Sequence, residues 1–284
     1  MDQRFINLFD RFTHGGMSRR DFLDRLTLLA GSAAAASAIL PVLEDNYAHA
    51  ETIAADDARL VASDVTLASG IRGHLAYPAA ATGKLPAVMV IHENRGLNPH
   101  IKDVTRRIGL EGFLAFGVDF LSPFGGTPED ADKAREMIGT LKPEDILQTA
   151  KAVRLDLAQH EKSTGKVGAI GFCWGGGTVN NLAVADPELA AGVAYYGRQP
   201  AADGVPAIKA PLLLHYAGLD ERINAGIAEF EAALKANGKA YELYLYEGVN
   251  HAFNNDTGGA RYNKEAADLA WGRTVAFLRQ HAGA

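Results

Sequence analysis

Apolar and polar positions along the chain follow two spacings. Short runs at 64–67, 73–77, 87–92, 113–118, 167–171, 192–196, 212–217 and 241–246 are dense in the apolar and aromatic residues that suit strands. Segments 101–110, 128–140, 143–160, 178–185, 225–236 and 262–282 carry the wider spacing of helices. The run Ala87-Val88-Met89-Val90-Ile91 is apolar throughout, which predicts a central parallel strand covered on both faces. Pro128 and Pro143 are placed to open helices, because a first-turn proline gives up no intrahelical bond. Two hairpin-like strands followed by alternating strands and helices predict an α/β fold. Its central sheet is mostly parallel, of about eight strands, with helices on both faces. In such a sheet chemistry gathers beyond the carboxyl ends of the strands.

The first fifty residues break this rhythm. Ser18-Arg19-Arg20-Asp21-Phe22-Leu23 has the twin-arginine pattern, and an Ala-, Gly- and Ser-rich apolar stretch, 26–40, follows it. Ala48-His49-Ala50 then offers a small-x-small cleavage site before Glu51. That order predicts a twin-arginine export signal over 1–50, standing outside the fold, with the translocase as transient partner and a periplasmic or secreted mature chain. The alternative is a retained N-terminal anchor or packed helix. From 51 to 284 no repeat or low-complexity linker interrupts the pattern, so that stretch is expected to be one domain.

Composition narrows the function. The chain has 284 residues, 48% hydrophobic and 22% charged, which is ordinary for a globular domain. A formal charge of −6 without any Lys/Arg block argues against a nucleic-acid partner. The single cysteine excludes an internal disulfide and any cysteine-based zinc site. No H-x-x-x-H or H-E-x-x-H pattern occurs, so neither a catalytic metal nor a cofactor is expected.

That cysteine carries the most specific signal. It lies in Gly171-Phe172-Cys173-Trp174-Gly175-Gly176, a G-x-C-x-G elbow between a predicted strand and a predicted helix. Two later strands end in Gly218-Leu219-Asp220-Glu221-Arg222 and in Asn250-His251-Ala252-Phe253. Nucleophile, acid and histidine thus follow one another in the order of α/β-hydrolase triads. His251 would take the thiol proton or pair with the thiolate, and Asp220 would fix the imidazole tautomer. Read singly, Cys173 could be a buried small hydrophobe, Asp220 a helix cap and His251 a loop residue. Glu221 and Asp203 are the other nearby acids. After the third strand comes His92-Glu93-Asn94-Arg95-Gly96-Leu97. This loop would supply one oxyanion N–H, and Trp174, the residue after the nucleophile, the other. Glu93 would stand near Cys173, to accept the thiol proton or keep the resting thiol neutral, or else would pair with Arg95 on the surface. His215, inside an apolar strand, is expected to be a hydrogen-bonded core histidine.

These motifs, with Val118-Asp119-Phe120, make the chain resemble the dienelactone hydrolase (carboxymethylenebutenolidase) family over about 60–280. The resemblance implies an α/β-hydrolase fold and cleavage of a small-molecule ester or lactone through an acyl-enzyme. It implies a triad of Cys173, Asp220 and His251, thiol activation by Glu93, and oxyanion donors on the backbones of Asn94 and Trp174. Family members acting on dienelactone hold the substrate carboxylate with arginines. This chain reads Phe120-Leu121-Ser122-Pro123 and Asn254-Asn255-Asp256 at the two places concerned. Arg95, Arg198, Arg222 and Arg261 are the available substitutes. The reaction class therefore transfers more firmly than the substrate. General carboxylesterase or thioesterase activity on the same scaffold is the nearest alternative, and a non-hydrolytic thiol-redox or binding module the more distant one. Oligomeric state is left open.

Overall fold

A computed structural model describes residues 1–47 and 50–283. Ala48 and His49 of the expected cleavage site lie outside the described residues. The chain begins with helices α1 (Gln3–Thr13), α2 (Arg19–Ala30) and α3 (Ala33–Leu43). Strands β1 (Leu60–Thr66), β2 (Arg72–Pro78) and β3 (Leu85–Ile91) follow, then α4 (Pro99–Leu110) and β4 (Leu114–Val118). Next come α5 (Ala131–Gly139), α6 (Pro143–Gln159), β5 (Ser163–Phe172), α7 (Trp174–Ala185) and β6 (Ala191–Tyr195). The chain closes with β7 (Leu212–Ala217), α8 (Glu221–Asn224), α9 (Ile227–Ala236), β8 (Tyr241–Tyr246) and α10 (Lys264–His281).

The eight strands form one sheet in the order β1-β2-β4-β3-β5-β6-β7-β8. The β1–β2 and β2–β4 pairs are antiparallel, and every pair from β4–β3 to β7–β8 is parallel. The apolar run of β3 divides by its period of two. Ala87, Met89 and Ile91 enter one core with Val153 and Leu157 of α6, Val179 and Leu182 of α7, and Phe230 and Leu234 of α9. Val88 and Val90 enter the opposite core with Ile101, Val104 and Ile108 of α4, and Phe277 and Leu278 of α10. Both faces of the central strands are thus covered, as the unbroken apolar run predicts.

Most helix starts follow local chemistry. Asn98 caps α4 by accepting from the Ile101 N–H at 3.1 Å, with Pro99 in the first turn. Pro143 opens α6, with Glu144 and Asp145 beside the positive end of its dipole. Pro128 does not open α5: the helix starts at Ala131, where Asp130 accepts from the backbone N–H groups of Asp132 and Lys133. A side-chain cap outbids a favourable φ, because it satisfies two first-turn donors at once.

At the N-terminus, α1–α3 build a small core of Ile6, Phe9, Phe12, Phe22, Leu26, Ala36 and Leu43. Phe12 and Phe22 stack with ring centroids 4.6 Å apart. Arg135 of α5 donates to the Phe12 carbonyl at 2.8 Å, and Asn94 Nδ2 to the Thr13 carbonyl at 2.7 Å. The side chain of Asp45, just after α3, is buried between Arg95 and Arg261, 2.8 Å from the former. The N-terminal helices therefore lie against the carboxyl-end edge of the sheet, over the loops that carry the predicted chemistry.

Candidate active site

Cys173 joins β5 to α7 with φ 55° and ψ −112°, outside the conformations open to most L-residues. Two glycines make that turn possible. A methyl group at Gly171 would stand 2.2 Å from the Gly175 carbonyl oxygen, and one at Gly175 would stand 2.4 Å from that of Ile91. The Cys173 N–H bonds the Tyr195 carbonyl at 3.0 Å, which ties the strained residue to the neighbouring strand end. Trp174 is the first residue of α7, so its N–H has no acceptor within the helix and faces outward with the positive end of the dipole. Its indole stacks on His92 (5.2 Å, 10°) and meets Phe120 edge-on.

Asp220 follows β7 and His251 follows β8. His251 Nδ1 lies 2.5 Å from Asp220 Oδ2. Asp220 also serves as the helix cap that its sequence context allows: Oδ1 accepts from the Ile223 N–H at 3.2 Å. The carboxylate is thereby oriented from both sides. Burial works against charge on His251, but the charges of Cys173 and Asp220 outweigh it and raise the imidazole to about 9. Burial likewise opposes ionisation of Asp220, and the His251 charge and hydrogen bond overcome it, lowering the carboxyl.

Three non-glycine residues among those described have positive φ: Cys173, Tyr196 (40°) and Ala252 (65°). All three border this site. Tyr196 packs its ring 4.8 Å from that of His251, and Ala252 follows His251 directly. Each such residue costs on the order of 1–3 kcal/mol, and strain of this kind concentrates where geometry is held for chemistry.

Glu93 is buried, but its carboxylate engages Asn255 Nδ2 at 2.9 Å and the Tyr196 hydroxyl at 3.4 Å. The alternative of a surface pair with Arg95 does not hold, because Arg95 is committed to Asp45. His92 is fully buried, with Nδ1 2.6 Å from the Glu93 carbonyl. Burial lowers it to about 4, so it is neutral and shapes the loop rather than carrying charge. His215 is a core residue, held by Thr274 at 3.1 Å and Tyr246 at 3.0 Å. Of the four arginines considered, Arg198 is exposed, Arg222 reaches Asp10 at 3.5 Å, and Arg95 and Arg261 converge on Asp45.

One site residue lies in the segment set aside as an export signal. His14 Nε2 is 3.2 Å from Cys173 Sγ. Its Nδ1 is 2.8 Å from the Asp10 carbonyl oxygen and 3.1 Å from the Asp10 carboxylate. The ring meets that of His251 edge-on at 4.7 Å. A cavity of about 190 Å³ beside this contact is lined by Asp10 and Arg11 of α1 and by Asp220, Arg222, Asn250 and His251. A signal for His14 was present in the sequence. Ile6, Phe9 and Phe12 at three-residue spacing mark an amphipathic helix, and Asp10 and His14 stand one turn apart at its end.

The fold and this geometry define an α/β-hydrolase. The dienelactone hydrolase family profile matches residues 71–282, and a second profile, described as YqhI-like, matches residues 1–31. A "Probable 2-oxo-3-(5-oxofuran-2-ylidene)propanoate lactonase" from Bradyrhizobium is 34% identical over 234 residues, covering 76% of this chain and 93% of its own. A carboxymethylenebutenolidase homologue from Methylorubrum extorquens is 30% identical over 279 residues, covering 91% of this chain and 94% of its own. That alignment is too long for residues 51–284 alone and reaches into the N-terminal helices. The crystal structure of a dienelactone hydrolase homologue from Klebsiella pneumoniae superposes with a TM-score of 0.70 at 27% identity, covering 78% of this chain and 99% of its own. The chain belongs to the dienelactone hydrolase family and is a hydrolase of lactone or ester bonds.

Proposed function

We propose that the chain hydrolyses its ester or lactone through a Cys173–His251–Asp220 triad and an acyl-enzyme. The observation that carries this reading is convergence at one sheet edge. The strained Cys173, the 2.5 Å His251–Asp220 contact and the first-turn N–H of Trp174 all meet there. The Cys173 thiolate attacks the carbonyl carbon and forms a thioester bond. The alkoxide leaves with the proton of the His251 imidazolium, as an alcohol or as the opened end of a lactone. Water then attacks the thioester, gives a proton to His251, and the acid departs as the thiolate–imidazolium pair returns. The backbone N–H groups of Trp174 and Asn94 hold the oxyanion in both steps. Glu93, anchored on Tyr196 and Asn255, acts on the thiol when substrate displaces those contacts.

The buried Arg95 and Arg261 favour a lactone that bears a carboxylate, held where Asp45 now sits. The name of the Bradyrhizobium relative, a propanoate lactonase, agrees in chemistry. Residues 1–50 are read as a twin-arginine export signal, whose removal in the periplasm would uncover Cys173. No single helix among the described residues is long and apolar enough to cross a membrane, although α2 and α3 together, bent by 114°, pass on length and composition.

Iodoacetamide should leave one adduct, at Cys173, with loss of ester hydrolysis measured on aryl esters and lactones. Full activity in Cys173→Ala would sink the mechanism. Stable sulfenic acid formation without turnover would favour the redox module, and equal turnover of neutral and carboxylate-bearing lactones would remove the arginines' role.

A further inference from the structure

The surroundings of Cys173 contain more than a triad needs. The ring nitrogens of His14 and His251 and the Cys173 sulfur lie within 4.8 Å of one another. The histidines come from different parts of the chain, yet each is held in the same way. His251 Nδ1 is fixed by the Asp220 carboxylate, and His14 Nδ1 by the carbonyl and carboxylate of Asp10. In both rings Nε2 is the nitrogen left to face the sulfur. His251 Nε2 is buried and takes no hydrogen-bond partner among the described residues. An imidazole backed by a carboxylate and presenting its other nitrogen is the arrangement by which proteins orient histidines onto a metal.

We infer that His14, Cys173 and His251 form a binding site for a soft divalent cation of the zinc class, which pins the N-terminal helices over the nucleophile. One thiolate and two imidazoles are ligand types that zinc takes, with a fourth position left for water. Zinc bonds of about 2.3 Å to sulfur and about 2.0 Å to nitrogen place tetrahedral ligands about 3.5 Å apart. The His14–Cys173 separation of 3.2 Å is already near that value, and His251 needs a side-chain movement of about 1 Å. Asp10, Asp220 and the thiolate bring three negative charges together, with Arg222 3.5 Å from Asp10 and 4.0 Å from Asp220, and Arg11, Glu221 and Arg261 lining the adjoining cavity; the sum is negative and favours a cation. Binding replaces the thiol proton, so one proton is released for each metal taken up from the thiol form. The occupied site withholds the thiolate from substrate and from oxidants, and releases it when the metal is withdrawn.

The sequence excludes a cysteine-based zinc site by cysteine count, and a catalytic metal by the lack of a local histidine spacing. Here the three donors span 237 positions, and only packing of α1 against the sheet edge brings them together.

The test titrates metal-free full-length protein with Co²⁺, followed by Zn²⁺ competition, and reads binding independently of hydrolysis. One Co²⁺ per chain is expected, with a thiolate-to-cobalt charge-transfer band and protection of Cys173 from iodoacetamide. Asp10→Asn, which keeps the imidazole, should weaken Zn²⁺ binding about 10–100-fold, and His14→Ala by more. Binding unchanged in both variants, or uptake without the charge-transfer band, would overturn the site. The triad mechanism would survive that result, because it requires neither His14 nor a metal.

Discussion

Two Asp–His pairs reach the same sulfur, and they are built differently. Asp220 and His251 arrive from loops after adjacent parallel strands, 2.5 Å apart, with Asp220 also locked as a helix cap. Asp10 and His14 are neighbours across one turn at the end of a single helix. The first pair is held by the sheet and cannot leave without unfolding it. The second rides on a segment whose contacts with the catalytic domain are side chains and loops, and which among its described residues adds no strand to the sheet. Similar local chemistry thus has two anchorings. One suits turnover, in which geometry must persist through each cycle, and the other suits a cover that can be lifted.

Removal of each histidine in turn should separate the two pairs most strongly. His251→Ala should lower kcat/KM on an aryl ester by about 10⁴-fold or more, as loss of a triad base does. Asp220→Asn should cost somewhat less, around 10⁴-fold at most, because the imidazole remains but its tautomer is no longer fixed. In contrast, His14→Ala should not lower kcat/KM, since the residue covers the sulfur without taking part in the proposed proton transfers. A loss as deep as that of His251→Ala would put the two pairs on equal footing and erase the distinction. Stability separates the regions too. Asp45→Ala strands two buried guanidinium groups and should cost about 3–5 kcal/mol in urea unfolding. The smallest effect belongs to Arg222→Ala. Its side chain is one-third exposed, so its bridge between Asp10 and Asp220 should contribute about 1 kcal/mol or less.

Much of the catalytic domain was legible along the chain. The strands from β2 to β8 lie where the apolar runs put them, most sharply β3, β4, β6 and β7, because strands buried on both faces leave a continuous apolar record. The elbow was legible for a related reason. Gly171 and Gly175 face backbone atoms that no side chain could clear, and so mark their turn in any sequence that makes it. The start of α5 was misplaced because two signals competed over four residues, and the Asp130 cap prevailed over Pro128. Glu93 was placed in the right loop but not on its partners, since Asn255 and Tyr196 are 162 and 103 positions away.

The sheet, the elbow and the order Cys173, Asp220, His251 can be read along the chain, because local periodicity, backbone sterics and strand-end position are all written in short stretches. The tertiary structure alone decided what stands over the sulfur. His14 is 159 positions from Cys173, and Asp45 is 50 from Arg95 and 216 from Arg261. Such contacts come from how one amphipathic helix buries its phenylalanines. No spacing rule encodes them, because the energy that sets them is apolar burial of the helix, while the chemistry they create lies on its polar end.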